Sequence, residues 1–312
     1  MIVIAGSVLT GCGSVSNPDD QLAFSSRQDE TDDWDIALID TAAGTSRALS
    51  VNGAFDWGPV FSPDGKRIAF SSDYESGEME DLYMPDPLNP GAKVHHVQEI
   101  TGDRDIVVIG VDGSGRQRLT DDPLTDDYPA WSPGGERIAF TSDRTGDVEI
   151  FVMDSDGNNV EQLTSNPGED WMPDWSPDGQ LIAFASSHGS EGFEIHVMDA
   201  NGNNVDQLTD SPGHDWGPAW SPDGQLIAFA SQRTGDFEIY VMSADGGNVY
   251  QLTDSIGDDF EPIWSPDGQR IAFASSRTGR MEIFVMSSDG NDAEPIGEPG
   301  VPSDWFSAPV ED

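Results

Sequence analysis

An aspartate recurs at Asp56, Asp126, Asp170, Asp215 and Asp259, with a further candidate at Asp304, and most of these precede an aromatic residue: Trp57, Trp171, Trp216, Phe260 and Trp305. Carboxylates gathered around one axis repel each other, and a hard divalent cation such as Ca2+, which takes about six to eight oxygen ligands, would relieve that repulsion. The same aspartates could instead accept backbone N–H bonds and shape their own loops. Aromatic side chains beside such a ring would supply contact area to a partner, and the acids would select for positive charge. Other chemistry is thinly represented. Asp154-Ser155-Asp156-Gly157-Asn158 begins like a calcium loop but lacks the glycine and glutamate that an EF-hand needs further on, so it reads as a hairpin turn. His188, His196 and His214 are close in sequence, yet His196 takes the position held by Phe151, Tyr240 and Phe284, which makes it a packed aromatic substitute rather than a zinc ligand. There is no Gly-x-Ser-x-Gly elbow, and Cys12 is the sole thiol, so no serine or cysteine nucleophile motif is present.

Whether those aspartates meet depends on the elements that carry them, and these elements repeat. Ser62-Pro63-Asp64-Gly65 returns as Ser132-Pro133-Gly134-Gly135, Ser176-Pro177-Asp178-Gly179, Ser221-Pro222-Asp223-Gly224 and Ser265-Pro266-Asp267-Gly268, the prolines standing 70, 44, 45 and 44 residues apart. A period near 44 with four β-like runs per unit is the mark of a propeller blade. A first strand ends in Phe61, Trp131, Trp175, Trp220 or Trp264, and Pro-Asp-Gly closes a tight hairpin because Pro presets φ and Gly tolerates positive φ. The second strand, Ile68-Ala69-Phe70 and its four copies, is apolar without alternation, as expected where both faces are covered. A third strand such as Glu149 to Met153 ends in an Asp-Gly or Asn-Gly turn, a strong hairpin signal. The fourth, such as Gln162-Leu163-Thr164, is mostly polar and suits an exposed outer edge.

The combined pattern Trp-Ser-Pro-Asp-Gly-x-x-Ile-Ala-Phe, Glu-Ile-x-Val-Met, Asp-Gly-x-Asn and Gln-Leu-Thr resembles the WD40-like repeat of the TolB propeller family, over five repeats spanning roughly residues 57 to 292. Gln21 to Phe24, Asp35 to Asp40 and Arg47 to Leu49 supply strands two to four of another blade, and Asp304-Trp305-Phe306 resembles the start of its missing first strand. The expected fold is therefore all-β, a six-bladed propeller of four-stranded antiparallel blades over 20–312, closed by pairing the two termini. The α/β domain that the resemblance would place ahead of the propeller has no room between Cys12 and Gln21. The aspartates fall at the starts of first strands, so the fold predicts them as a ring at the channel mouth. The second blade carries an insertion over 73–104, with 35 positions from Phe70 to Asp105 where other blades need nine or ten. It includes Tyr83, His95 and His96, and long loops on rigid scaffolds often bind.

Residues 1–19 read as a processing segment. Met1 to Leu9 is apolar, and Leu9-Thr10-Gly11-Cys12 resembles the lipobox of bacterial lipoproteins, in which that cysteine is lipidated. Only eleven residues precede Cys12 and none is basic, a departure that a start codon assigned too late would explain; the other reading is a buried first strand with a chance cysteine. No apolar run of about 18 residues exists to span a membrane, so an acyl chain would tether the domain to the membrane surface. A formal charge of −44, from 58 acids against 14 bases, disfavours nucleic acid and anionic lipid headgroups. Apolar content of 36%, with nine Trp and fourteen Phe, supports a substantial core rather than disorder. Only Lys66 and Lys93 are lysines among the bases, a balance that resembles salt-adapted proteins. The sequence thus predicts a monomeric, non-enzymatic, lipid-anchored envelope binding protein that requires no cofactor. The resemblance implies peptidoglycan-associated or other envelope proteins as partners. The alternatives are a polysaccharide-binding protein, a metal-dependent polysaccharide lyase, or a purely structural surface protein.

Overall fold

The Ile-Ala-Phe strands explain the architecture. In the computed structural model, which describes residues 20–27, 34–50, 53–73, 83–85, 93–95, 104–190 and 192–307, Ile, Ala and Phe of the five copies are completely buried. Each lies second in a four-stranded antiparallel sheet, and six such sheets form the ring. The innermost strands are Asp56–Phe61, Asp126–Trp131, Asp170–Trp175, Asp215–Trp220, Asp259–Trp264 and Val301–Ser307. The fourth blade is typical, running outward through Leu181–Ser186 and Glu194–Asp199 to Asp206–Gln207. Its Ser-Pro-Asp-Gly turn is self-contained: the Ser176 hydroxyl donates to Asp178, and Gly179, at φ +69°, donates its N–H to the Ser176 carbonyl. The outer Gln-Leu-Thr strand is pinned by its threonine. Thr164 accepts from the Ile150 N–H at 2.9 Å and donates to Glu149 at 2.6 Å.

The blades are joined by large side chains entering small ones. Ala183, Ala185, Ile195 and Val197 of the fourth blade face Trp220, Ile227, Phe229, Tyr240 and Met242 of the fifth. The same arrangement recurs around the ring, including between Ala23, Ile36 and Leu38 and the second blade's Phe61, Ile68 and Phe70. The turn arginines add a tie, with Arg67 over Trp131, Arg137 over Trp175 and Arg270 over Trp305 at 4.7, 5.6 and 4.5 Å. Among the described residues the insertion shows one short ribbon, Tyr83–Pro85 against Lys93–His95, with Tyr83 opposite His95.

The ring closes as expected, with Asp20–Arg27 pairing Val301–Ser307, but the register differs. Trp305 lies opposite Leu22 and Asp304 opposite Ala23, as Trp175 lies opposite Ile182 and Asp174 opposite Ala183. Asp304-Trp305 is therefore the counterpart of Asp174-Trp175 at the far end of the strand, not of Asp170-Trp171 at its start. Gly300 takes the position expected for a sixth aspartate. Trp305 is 5% exposed and packs with Ala272 and Ile283 of the last blade, so it belongs to the core rather than to a docking surface. Phe306 lies beside Phe61 and against Gly65, where a β-carbon would fall 2.2 Å from its ring, so the closing strand also grips the second blade. Replacing a fully packed tryptophan by alanine typically costs about 3–5 kcal/mol. Trp305→Ala and Trp175→Ala are accordingly expected to lose similar stability in urea unfolding; a Trp305 loss under about 1 kcal/mol would contradict a clasp of this kind.

Candidate binding site at the channel mouth

The five repeated aspartates do not form a ring of free carboxylates. Asp56, Asp126, Asp170, Asp215 and Asp259 are all fully buried, and no three acids, histidines or cysteines among the described residues come together as a metal site. Each aspartate serves its own blade. Asp126, Asp215 and Asp259 receive Arg144, Arg233 and Arg277 at 2.7, 3.0 and 2.6 Å. Each arginine comes from the loop after the second strand, 18 residues downstream, and lies over its blade's second-strand phenylalanine. In the second blade, where the insertion follows the second strand in sequence, Arg116 takes the corresponding role, 3.8 Å from Asp56 and over Phe70. Of the five aspartates expected as calcium ligands, Asp56, Asp126, Asp215 and Asp259 are thus engaged by arginines of their own blades.

The fourth blade breaks the pattern, because His188 stands 18 residues after Asp170 where arginine is expected. His188 turns instead to the Pro167 carbonyl at 3.0 Å. Asp170 Oδ2 accepts from Asn166, while Oδ1 is buried without a donor. Burial, and then the charge of Asp170, push the neighbouring Glu149 up to about 7, so a proton held there can serve the pair. His196 is packed on Phe184 as expected, and burial lowers its pKa.

The channel is lined by a different set. A cavity of about 340 Å3 runs between the first strands of all six blades. At its mouth stand Gly58, Tyr128, Met172, Gly217 and Glu261, each followed by proline and each left-handed, with φ of +64°, +50°, +56°, +58° and +52°. A bulge in each first strand turns these positions inward. For the three that are not glycine this backbone costs about 1–3 kcal/mol, a strain typical of binding sites. A β-carbon at Gly217 would stand 3.7 Å from Glu261 Oε2 and 3.9 Å from Met172 Sδ, so residues from three blades converge. The pKa of the Tyr128 hydroxyl is pushed far upward by burial and then by the charges of Asp127 and Glu261. Glu261 is raised to about 7, by burial first and Asp127 second. Deeper in the channel, Asp174 and Asp304 reach the next blades, each accepting at 2.7 Å from the backbone N–H of Trp220 and Phe61. Burial raises Asp174 to about 7 and Asp304 to about 6.

Of the aromatics expected at the mouth, Trp57 lines the channel, edge-on to Trp34 at 4.9 Å. Trp171 stands one layer back, edge-on to Tyr128. Trp216 stacks on Phe193 at 4.1 Å, and Trp216 and Phe260 pack against the clusters between blades. The ends of the insertion root at this mouth: Asp73 accepts from the Phe55 N–H, and Arg104 pairs with Asp127 at 2.7 Å and covers Phe55. Tyr83 and His95 are placed only as opposed positions of the ribbon, while His96 and Cys12 lie outside the described residues. The inward residues carry one sequence signal, which is variation at a fixed repeat position just before an invariant Pro59, Pro129, Pro173, Pro218 or Pro262.

Comparison with known proteins agrees with the repeat pattern. A family model described as the TolB beta propeller domain matches residues 83–215 and 209–302. An uncharacterized protein of Agrobacterium fabrum is 30% identical over 125 residues, covering 34% of this chain and 42% of that protein. A protein TolB homolog of Chlorobium luteolum is 31% identical over 114 residues, covering 31% of this chain and 24% of that protein. The aligned regions thus span less than half of these relatives. Among solved structures, TolB from Acinetobacter baumannii superposes with a TM-score of 0.75 at 22% identity, over 93% of this chain and 67% of that one. The putative TolB from Agrobacterium tumefaciens superposes at 0.68 and 21% identity, over 91% and 90%.

Two outcomes are expected from this electrostatics. His188→Arg should restore the missing partner of Asp170 and raise stability by about 1 kcal/mol, with no gain when Asp170→Asn is also present, as read by thermal melting. The raised groups Asp105, Glu149, Asp174, Glu194, Glu261 and Asp304 hold protons in the fold that the unfolded chain releases above its ordinary carboxylate range. Their contribution is complete below about pH 4 and is lost as pH rises through about 6 to 7. Melting temperature should therefore fall between about pH 5 and pH 8, and a rise over that window would contradict these assignments.

Proposed function

Because the chain belongs to the TolB β-propeller family, we propose that it is a non-enzymatic, extracytoplasmic binding module that engages a protein of the cell envelope at the channel mouth. One observation carries this reading: the blades repeat nearly every structural residue, and the side chains that differ from blade to blade gather at the mouth beside the roots of the insertion. A rigid ring that presents dissimilar side chains at one opening is suited to recognising an asymmetric partner. Trp57 and Tyr128 are the aromatic anchors of this surface. The insertion over 73–104 widens it, and Cys12 is the point of lipid attachment to the membrane.

Capture from detergent-solubilised envelopes tests the reading. Wild-type protein is expected to retain a partner that is lost, by about tenfold or more, from Tyr128→Ala and from a chain lacking residues 74–103. Both variants should retain the wild-type unfolding transition. Equal capture by all three would place the docking surface elsewhere. Cys12→Ser should move the protein from the membrane fraction to the soluble fraction; unchanged membrane association would remove the anchor from the proposal.

A further inference from the structure

We propose that the channel mouth receives one organic cation, the ammonium or guanidinium group of a lysine or arginine side chain from the docked partner, with Glu261 as its counter-ion. This rests on the reading of the mouth as the docking face. The other enclosed acids there are already engaged. Asp127 holds Arg104 through two hydrogen bonds of 3.0 and 2.7 Å, and Asp174 and Asp304 accept backbone N–H groups of neighbouring blades. Glu261 accepts no hydrogen bond and makes no ion pair among the described residues, yet its carboxylate lies inside the protein ring, 3.7 Å from where a Gly217 side chain would begin. A half-buried carboxylate without a partner is costly to keep charged, and a cation entering the cavity offsets that cost. The charged group facing it is Asp127, which is held by Arg104 yet still adds to the negative field at Glu261, so a cation there meets no competing positive charge.

The walls select the kind of cation. Tyr128, Trp57 and Met172 present aromatic and thioether surface, which suits an alkyl chain ending in positive charge. Calcium needs about six to eight oxygen ligands, and the mouth has a single free carboxylate, so a chelated metal is a poor match. Gly217 leaves the space that the alkyl chain would fill. The long-range field also favours a cation, since a chain of net charge −44 draws positive groups toward it.

The test is titration of the full chain with n-butylammonium chloride, n-butylguanidinium chloride and neutral n-butanol at constant ionic strength, followed by tryptophan fluorescence and calorimetry. Either cation should bind at least about tenfold more tightly than n-butanol. Glu261→Gln should abolish that preference, whereas Glu161→Gln, an equal charge change on an exposed outer strand, should preserve it. Met172→Arg, which supplies a cation from within, should also abolish binding while leaving Glu261 in place. Equal effects of the two glutamine variants would reduce the affinity to net charge, and absence of preference over n-butanol would overturn the proposal. Glu261 has no partner to lose, so Glu261→Gln should melt no lower than wild type. Capture of the envelope partner separates the two readings: capture retained by Glu261→Gln but lost by Tyr128→Ala leaves the docking face standing without cation insertion.

Discussion

The structure depends on one packing relation, the insertion of each blade's bulky face into the small-residue face of the blade before it. Ala183 and Ala185 make room for Trp220, Ile227 and Phe229, and the relation repeats until Ala272 receives Trp305. Burying a phenylalanine fully is worth about 1.5–3 kcal/mol, so the six joints together outweigh what any outer strand contributes. The relation is also directional, because the large residues always face the same neighbour. A ring is therefore the arrangement in which every bulky face is covered, and its radial repetition leaves only short, protected sheet edges. The channel follows from that closure, and its width leaves the innermost strands facing each other rather than packed together.

The same regularity governs what the sequence reveals. Turns, strand order and blade number were all legible, because the Ser-Pro-Asp-Gly hairpin and the Ile-Ala-Phe strand each have a local physical cause. Closure was legible too, but not its register. The first strand of the fourth blade reads Asp170-Trp171-Met172-Pro173-Asp174-Trp175, with the same dipeptide at both ends. Asp304-Trp305 fits either end by residue type, and only its pairing with Leu22 and Ala23 decides. Those two positions differ in role: the first aspartate is locked inside the blade, while the second reaches across to the next one.

The site was harder to read for a related reason. Residues that recur in each blade attract attention, and in this protein recurrence marks internal construction. Asp126 recurs because Arg144 recurs 18 residues later, with that arginine laid over the second-strand phenylalanine. Reading that arginine alongside the aspartate would have separated an ion pair from a metal ring. The mouth has the opposite signature, with glycine at Gly58 and Gly217 but Tyr128, Met172 and Glu261 at the same repeat position of the other blades. Side-chain identity is free to vary there because the backbone conformation is fixed by the bulge and the following proline, not by packing between blades. Difference within sameness is the more informative signal in a repeat protein.

Charge distribution joins the two arguments. Most of the 14 basic residues are spent inside the ring: on buried aspartates, as Arg144, Arg233 and Arg277 are, or on the tryptophans of adjoining blades, as Arg67, Arg137 and Arg270 are. The outer surface is consequently left to carboxylates, and its field is of nearly one sign. A partner bearing positive charge is steered toward every part of that surface alike, which gives speed without location. Location requires a place where the negative charge is desolvated and unmatched, and where apolar walls reward a particular shape. Most of the acids held inside the ring already have donors from neighbouring strands. At the mouth one carboxylate does not, and it is there that attraction can become recognition.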